Sequence, residues 1–222
     1  MVYPFSFIKK YVPLLLFVIA AWASVTIFVL SFSPQGQVEI AHVEQGIAAV
    51  LPAREAPVLD LSPAVFDART KTTSCLVAGA LPDHACTPGA IFASTTLEKI
   101  CVSGYTKTVR NVPVSLKKKV YQAYGVPYPQ KTGTYEADHL IPLELGGSND
   151  IANLFPEAGS PTPGFKEKDL VENYLHNEAC AGRVSLPRAQ EQIATDWVAV
   201  YKKLTPDDIR ALKAQYSNWA PN

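Results

Sequence analysis

The sequence predicts an α+β domain in which helices flank one β-hairpin. Residues 135–145 form a short apolar run that ends at a glycine pair, and a second apolar run begins at Asn153. Two such runs with a long polar connection are typical of a β-hairpin. Residues 165–179 carry apolar side chains at helical spacing, and Ser185 and Thr205 each begin a further helix with a proline in its first turn. These observations predict a hairpin-and-helix unit with flanking helices.

The N-terminal segment, residues 1–32, is predicted to be a transmembrane anchor. Its apolar run, residues 12–32, contains no charge and matches the roughly 20 residues that a helix needs to cross a bilayer. Lys9 and Lys10 precede the run, which favours a cytoplasmic N-terminus. A cleaved signal peptide is the alternative, because residues 21–23 (Ala-Trp-Ala) resemble a cleavage site. In either case we expect the rest of the chain to be exported, to the periplasm or outside the cell.

The remaining chain divides into a linker, residues 33–83, and a folded domain, residues 84–222. Prolines punctuate the linker, and its apolar residues show no sustained period. The whole chain has 20 basic and 20 acidic side chains, so its formal net charge is zero. The distribution of charge along the chain therefore says more about partners than the net charge does.

The four cysteines all follow the predicted membrane segment. They are Cys75, Cys86, Cys101 and Cys180. An even number of cysteines in an exported chain predicts two disulfides, for which three connectivities exist. A structural zinc site is the competing interpretation, and the absence of a short Cys-x-x-Cys spacing argues against it. A bridge between Cys101 and Cys180 would close a long loop around the hairpin.

Residues 99–131 are basic, with no acidic side chain among them. The seven positive charges are Lys99, Lys107, Arg110, Lys117, Lys118, Lys119 and Lys131, and tyrosines are interleaved with them. Such a surface suits a phosphate backbone and stacked bases, so we predict that Arg110, Lys117, Lys118 and Lys119 bind substrate. The alternative is an amphipathic helix over residues 114–124 that turns its lysines to solvent. The two interpretations are compatible.

Asp138 and His139 interrupt the first strand of the predicted hairpin. Adjacent side chains on a strand point to opposite faces, so one of the two would face a metal and the other a substrate. A histidine with a pKa near neutrality removes the proton from an attacking water, and carboxylate oxygens bind hard divalent cations. The structural alternative is a hydrogen-bonded core histidine next to an acid in a turn.

At these positions the sequence resembles the HNH (ββα-metal) endonuclease family. The residues that match are Asp138, His139, Pro142, the pair Gly146-Gly147, and Asn153 fourteen residues after the histidine. The resemblance covers roughly residues 135–180. It implies that His139 is the general base, that Asp138 is a metal ligand, and that Asn153 braces the loop and the histidine. It also implies that the helix after the second strand carries the remaining ligand.

That helix offers Asp169 and Glu172 as further metal ligands and Lys168 as a phosphate contact. The chain departs here from the compact family pattern, which places the last ligand about nine residues after the asparagine. Nine residues after Asn153 is Thr162, which lies in a loop, so an insertion has to be assumed. Oxygen ligands favour Mg²⁺, with Mn²⁺ as the alternative. The structural alternative for each helical residue is an ordinary surface charge.

The resulting hypothesis is a metal-dependent endonuclease that hydrolyses phosphodiester bonds in DNA, with RNA as an alternative substrate. Its partners would be DNA and, through the N-terminal helix, a membrane. Two other classes of protein remain open. One is an exported nucleic-acid-binding or uptake module with the same fold and no turnover. The other is an extracytoplasmic scaffolding domain, which predicts no affinity of residues 99–131 for polyanions.

Overall fold

A computed structural model describes residues 62–216. Within that range two strands, β1 and β2, and six α-helices, α1 to α6, follow one another along the chain. The strands are Tyr135–His139 and Leu154–Ala158, and the helices are Leu97–Ile100, Tyr105–Val109, Val114–Ala123, Phe165–Cys180, Leu186–Tyr201 and Pro206–Gln215. The α+β class predicted from the sequence is confirmed.

The predicted membrane segment, residues 12–32, lies outside the described residues, as does the linker up to residue 61. Among residues 62–216 no helix combines the length and the apolar character that crossing a bilayer requires.

β1 and β2 form a two-stranded antiparallel sheet, as the two apolar runs predicted. Its register runs from Tyr135 opposite Ala158 to His139 opposite Leu154. The connection contains two short 3₁₀ turns, Leu143–Leu145 and Ile151–Asn153. Gly146 ends the first turn with φ of 80°, a conformation that glycine adopts without strain. A Cβ on Gly147 would overlap the carbonyl oxygen of Ile141, so the glycine pair is needed for the chain to close this connection.

The core lies between α4, α5 and the hairpin connection. Its fully buried members are Ile141 and Leu145 from the connection, Val171, Leu175 and Ala179 from α4, and Ala189, Ile193 and Trp197 from α5. Complete burial of one large apolar side chain contributes about 1.5–3 kcal/mol. Gln190 of α5 also donates a 2.7 Å hydrogen bond to the Leu145 carbonyl oxygen. The helices therefore hold the connection that carries the site residues.

The starts of α5 and α6 follow the capping signals in the sequence. The Ser185 hydroxyl accepts a hydrogen bond from the Arg188 backbone N–H, and the Thr205 hydroxyl accepts one from Asp208 N–H. The Asp208 carboxylate accepts in return from Thr205 N–H at 2.8 Å, which completes a capping box.

Residues 62–83, which the sequence assigns to the linker, pack onto the domain. Phe66, Ala80 and Leu81 contact the core, and the Trp197 indole N–H donates to the Ala80 carbonyl oxygen at 3.3 Å. A disulfide also joins Cys75 to Cys86. In the structure this stretch is therefore part of the folded unit.

Two disulfides are present in the described part of the chain, as the cysteine count predicted. Besides the bridge between Cys75 and Cys86, a second joins Cys101, just after α1, to Cys180, the last residue of α4. The second bridge spans 79 residues and encloses the hairpin, whereas the first spans 11. The longer bridge therefore restricts the unfolded chain more strongly.

We expect removal of the Cys101–Cys180 bridge, by replacing both cysteines with serine, to lower the free energy of unfolding by roughly 2–4 kcal/mol. Urea unfolding under non-reducing conditions measures this change. The matched control removes the Cys75–Cys86 bridge, which should have a smaller effect because its loop is shorter. A larger loss of unfolding free energy in the control would contradict the conclusion that the longer bridge stabilises the fold more.

Candidate active site

A buried lysine connects α4 to β1. Lys168 is 0% exposed, and its ammonium group donates to Asp138 Oδ2 at 2.7 Å and to the His139 carbonyl oxygen at 2.6 Å. A third hydrogen bond goes to Glu172 Oε1, one turn further along α4. A lysine ammonium has three donors, so protein oxygens satisfy all of them. The sequence suggested a phosphate contact for Lys168, but the structure directs its ammonium into the domain interior.

Glu157 on β2 adds a buried acid to this group. It pairs with Glu136 across the sheet and therefore lies on the same face as Asp138. Its side chain is 1% exposed, and no donor among the described residues reaches either carboxylate oxygen. Burial raises the pKa of Glu157 well above its ordinary value, although the charge of Lys168 opposes the shift. Glu157 was not predicted from the sequence as a site residue, although an acid within an otherwise apolar strand was the available signal.

The carboxylate cluster, defined as Asp138, Glu157 and Glu172, surrounds the Lys168 ammonium. Burial alone would raise the pKa of Asp138, but the charge of Lys168, the Glu157 side chain and the charge of His139 together outweigh burial and bring the pKa to about 2. The pKa of Glu172 instead rises well above its ordinary value, mainly because of burial. If all three acids were ionised, three negative charges would face one positive charge, for a net charge of −2. A divalent cation would balance that charge.

Two further acids lie around the cluster. Asp169, which the sequence proposed as a ligand, is exposed on α4 and makes no side-chain hydrogen bond to the cluster. Its charge nevertheless affects the pKa of Glu144. Burial is the main cause that raises this pKa to about 7, and the charge of Asp169 is the second. Of the two helical acids proposed from the sequence, only Glu172 is joined to Asp138 through a shared hydrogen-bond partner.

His139 is the last residue of β1, and Asn149 from the hairpin connection orients its ring. The imidazole Nε2 lies 3.2 Å from Asn149 Oδ1. The Asn149 amide nitrogen donates to the Val109 carbonyl oxygen at 2.7 Å, while its oxygen also accepts from the Asn111 backbone N–H at 3.2 Å. The amide oxygen therefore faces the ring, so Nε2 carries the hydrogen and Nδ1 is the unprotonated nitrogen. Asn149 was not predicted from the sequence as a site residue.

The neutral form of His139 is favoured by its surroundings. The residue is 3% exposed, and burial lowers the pKa of its imidazole, against the opposing charge of Asp138. A neutral imidazole of fixed tautomer can accept a proton at one defined nitrogen. That is the property which a general base needs at neutral pH.

Asn153 closes the hairpin connection. It is 0% exposed, and its oxygen accepts from the Ile141 backbone N–H at 2.9 Å. Its amide nitrogen donates to the carbonyl oxygens of Ile141 and Ser148, each at 2.9 Å. One side chain thereby holds both ends of the segment that follows His139. The side chain of Asn153 thus contacts backbone groups, which include the Ala90 N–H at 3.4 Å outside the connection, rather than the His139 ring.

The basic residues predicted to bind substrate fall into two groups. The charges of Arg110 and Lys117 are close enough to Glu136 of β1 to affect its pKa. Burial raises the pKa of Glu136, and both positive charges oppose that rise. Lys118 instead lies over the Tyr128 ring, with its ammonium 5.8 Å from the ring centroid, and Lys119 is exposed on α3. Arg110 and Lys117 are therefore the members of the basic stretch near the candidate site.

His176 belongs to a different part of α4. Its Nε2 lies 3.1 Å from the Ile100 carbonyl oxygen and 3.5 Å from Cys180 Sγ. The sulfurs of Cys101 and Cys180 lie beside it, but they are joined in a disulfide and are not thiolates. Because cysteine binds a metal as a thiolate, this group does not form a zinc site in the oxidised protein.

Comparisons of the chain with protein-family models, with curated proteins and with solved structures gave no match. The functional interpretation therefore depends on the chemistry of the residues described above.

We expect Asn153→Ala to lower the free energy of unfolding by about 2–4 kcal/mol, because two carbonyl oxygens and one N–H of the connection would lose a buried partner. Asn153→Asp should destabilise the protein at least as much at neutral pH, since a carboxylate oxygen would then face two carbonyl oxygens. Chemical unfolding measures both changes. Gln122→Ala, at an exposed position on α3, is the control, and an equal effect there would contradict the bracing role.

Proposed function

We propose that the domain is a metal-dependent endonuclease that hydrolyses phosphodiester bonds in DNA, with RNA as an alternative substrate. The observation that carries the proposal is the His139 imidazole, which Asn149 holds in one tautomer next to the carboxylate cluster, where Glu157 is buried and Asp138 and Glu172 are partly buried. A positioned base beside a site for a hard cation is the minimum that activation of water against a phosphodiester requires.

In the proposed reaction His139 is the general base. Its Nδ1 accepts a proton from the attacking water, and the resulting imidazolium keeps its Nε2–H hydrogen bond to Asn149 Oδ1. Asn149 is a positioning residue, because it fixes which nitrogen is free to accept the proton. General base catalysis of this kind typically contributes 10²–10⁴-fold to a rate.

The carboxylate cluster fits a divalent cation. Asp138, Glu157 and Glu172 supply only oxygen donors, and a bound cation would give the Glu157 oxygens the partner that no N–H or O–H group of residues 62–216 provides. These residues would hold Mg²⁺ or Mn²⁺, with Lys168 retained as an internal positive charge. The cation, when bound, would neutralise negative charge that develops on the phosphate and its leaving oxygen. Asp169 and Glu144 would add negative potential around the cluster without contacting the ion.

Substrate binding is assigned to the basic side chains near the site. Arg110 and Lys117 have their charges close to Glu136 and are suited to contact the phosphates next to the cleaved bond. Lys118 and Lys119 would follow the phosphate backbone further away and would act mainly through long-range attraction. Export of the domain, and its attachment to a membrane by residues 12–32, remain part of the proposal.

We expect His139→Ala to reduce plasmid nicking by roughly 10²–10⁴-fold, because no other side chain in the described structure takes a proton at that position. The full chain would be assayed with Mg²⁺, with Mn²⁺ and with EDTA. Asn149→Ala should give a smaller loss, since the imidazole remains but its tautomer is no longer fixed.

The thermal unfolding of each variant is the control for this assay, because a misfolded protein would also be inactive. Nicking that persists in folded His139→Ala, or that EDTA leaves unchanged, would contradict the proposed mechanism. A folded wild-type protein that retains DNA without cleaving it would instead favour the binding module.

We expect Glu157→Gln to preserve the fold and to weaken metal binding. The substitution keeps the shape of the side chain and replaces a buried acid, whose pKa burial raises, by a neutral amide, so without metal the melting temperature should stay the same or rise. Wild-type protein should gain stability when Mg²⁺ or Mn²⁺ is added, because the ion binds only the folded state. The variant should lose most of that gain, as followed by differential scanning fluorimetry.

Glu191→Gln, at an exposed position on α5, is the matched control and should keep the full gain. A full metal-induced gain in Glu157→Gln would exclude Glu157 as a ligand.

A further inference from the structure

Glu144 lines a cleft of about 370 Å³. The walls of the cleft are residues 100–106, one side of α4, and the end of α6. Its volume is within the range of small-molecule sites in proteins. Glu144 is also close enough to Asp169 and Asp138 for their charges to interact. The cleft therefore lies near the carboxylate cluster, although Glu144 is the acid of this region that lines it.

In the described part of the chain the Glu144 carboxylate has no hydrogen-bond partner. Among residues 62–216, no N–H or O–H group donates to it and no cation pairs with it directly. The residue is only partly exposed and forms part of the cleft wall. In its ionised form the carboxylate therefore offers two acceptor oxygens to a ligand that carries hydrogen-bond donors.

Two amide side chains in the cleft have one end fixed and the other end available. The Asn173 amide nitrogen donates to the Asp169 carbonyl oxygen at 2.7 Å, which leaves the Asn173 oxygen as an acceptor. Asn177 donates to Gln215 Oε1 at 3.0 Å, which leaves the Gln215 amide nitrogen as a donor. The Tyr216 hydroxyl fixes Asn177 by donating to its oxygen at 3.0 Å. The cleft thus offers a carboxylate, one amide oxygen and one amide N–H₂ group.

We propose that this cleft binds a guanine base of an unpaired nucleotide beside the cleaved bond, an inference that rests on the proposed nuclease function. The Watson–Crick edge of guanine has two adjacent donors, N1–H and the 2-amino group, which match the two oxygens of Glu144. Its O6 acceptor lies next to them and suits the Gln215 amide nitrogen. Adenine, cytosine and thymine lack two adjacent donors on that edge.

The proposal also defines the strand class of the substrate. A guanine in a duplex uses its Watson–Crick edge to pair with cytosine, so only a single-stranded or splayed nucleotide can enter the cleft. Recognition of unstacked bases through this edge, with an aromatic ring beneath them, is the common mode for single strands. Tyr105 lines the cleft and provides such a ring.

The test measures binding separately from cleavage. The full chain with His139→Ala would be titrated against fluorescein-labelled single strands by fluorescence anisotropy. One strand is all thymidine, a second carries a single guanine, and a third carries hypoxanthine at that position, which lacks the 2-amino group. We expect about tenfold tighter binding of the guanine strand than of the thymidine strand. Hypoxanthine or an annealed complementary strand should remove most of that preference.

Two variants assign the preference to the cleft. Glu144→Gln should bring the affinity for the guanine strand down to that for the thymidine strand. Gln215→Ala, at an exposed position that does not threaten folding, should lower the preference by a smaller factor. Glu191→Gln, remote from the cleft lining, should keep it.

Equal affinity for guanine and thymidine strands, or binding of neither, would overturn the proposal. A preference that survives Glu144→Gln in folded protein would also overturn it. The proposed function fails separately: if wild-type protein prefers guanine but cleaves no strand, the cleft assignment stands and the nuclease assignment is wrong. If wild-type protein cleaves DNA but shows no guanine preference, the nuclease assignment stands and the cleft assignment is wrong.

Discussion

The position of the Lys168 ammonium is the constraint on which the site depends. Removing a charged amine from water carries a penalty of several kcal/mol, which only close partners of opposite charge and further hydrogen bonds offset. Asp138, Glu172 and the His139 carbonyl oxygen provide those partners. Two of the three belong to β1 and one to α4, so satisfying this one charge fixes the distance between strand and helix. The side chain of Asp138 and the backbone of His139 are positioned by the same group.

The carboxylate cluster gains little stability from its own charges. Lys168 compensates for one negative charge, and no N–H or O–H group of residues 62–216 donates to either oxygen of Glu157, so the cluster is held together by its surroundings. Those surroundings are the apolar contacts between α4 and α5, the disulfide from Cys101 to Cys180, and the hydrogen bonds of Asn153. A rigid framework that forces like charges together is typical of functional sites. The apolar core, the disulfide and the Asn153 hydrogen bonds thus offset the unfavourable electrostatic energy of the carboxylate cluster.

The sequence predicted the features that local signals determine. The glycine pair and the two apolar runs gave the hairpin, and Thr205 with its following proline gave the start of α6. Those local signals do not determine contacts between residues that are far apart in the sequence. Lys168 was expected at the surface because lysines are seldom fully buried, yet its partners lie 29 and 30 residues earlier in the chain. Asn149 looked like one more polar residue of the connection, because the Val109 carbonyl oxygen that orients it is 40 residues away.

The alternation of side chains along β1 determines how a substrate would have to approach. Asp138 points toward Lys168 and Glu157, while His139 points to the opposite face and toward Asn149. A base and a cation site on opposite faces can act on the same phosphate only where the strand ends. His139 is the last residue of β1, and the chain turns away immediately after it. In the proposed reaction the phosphate therefore lies at this end of the strand, with Arg110 nearby. The position of the histidine within the strand is then as important to the mechanism as the identity of its side chain.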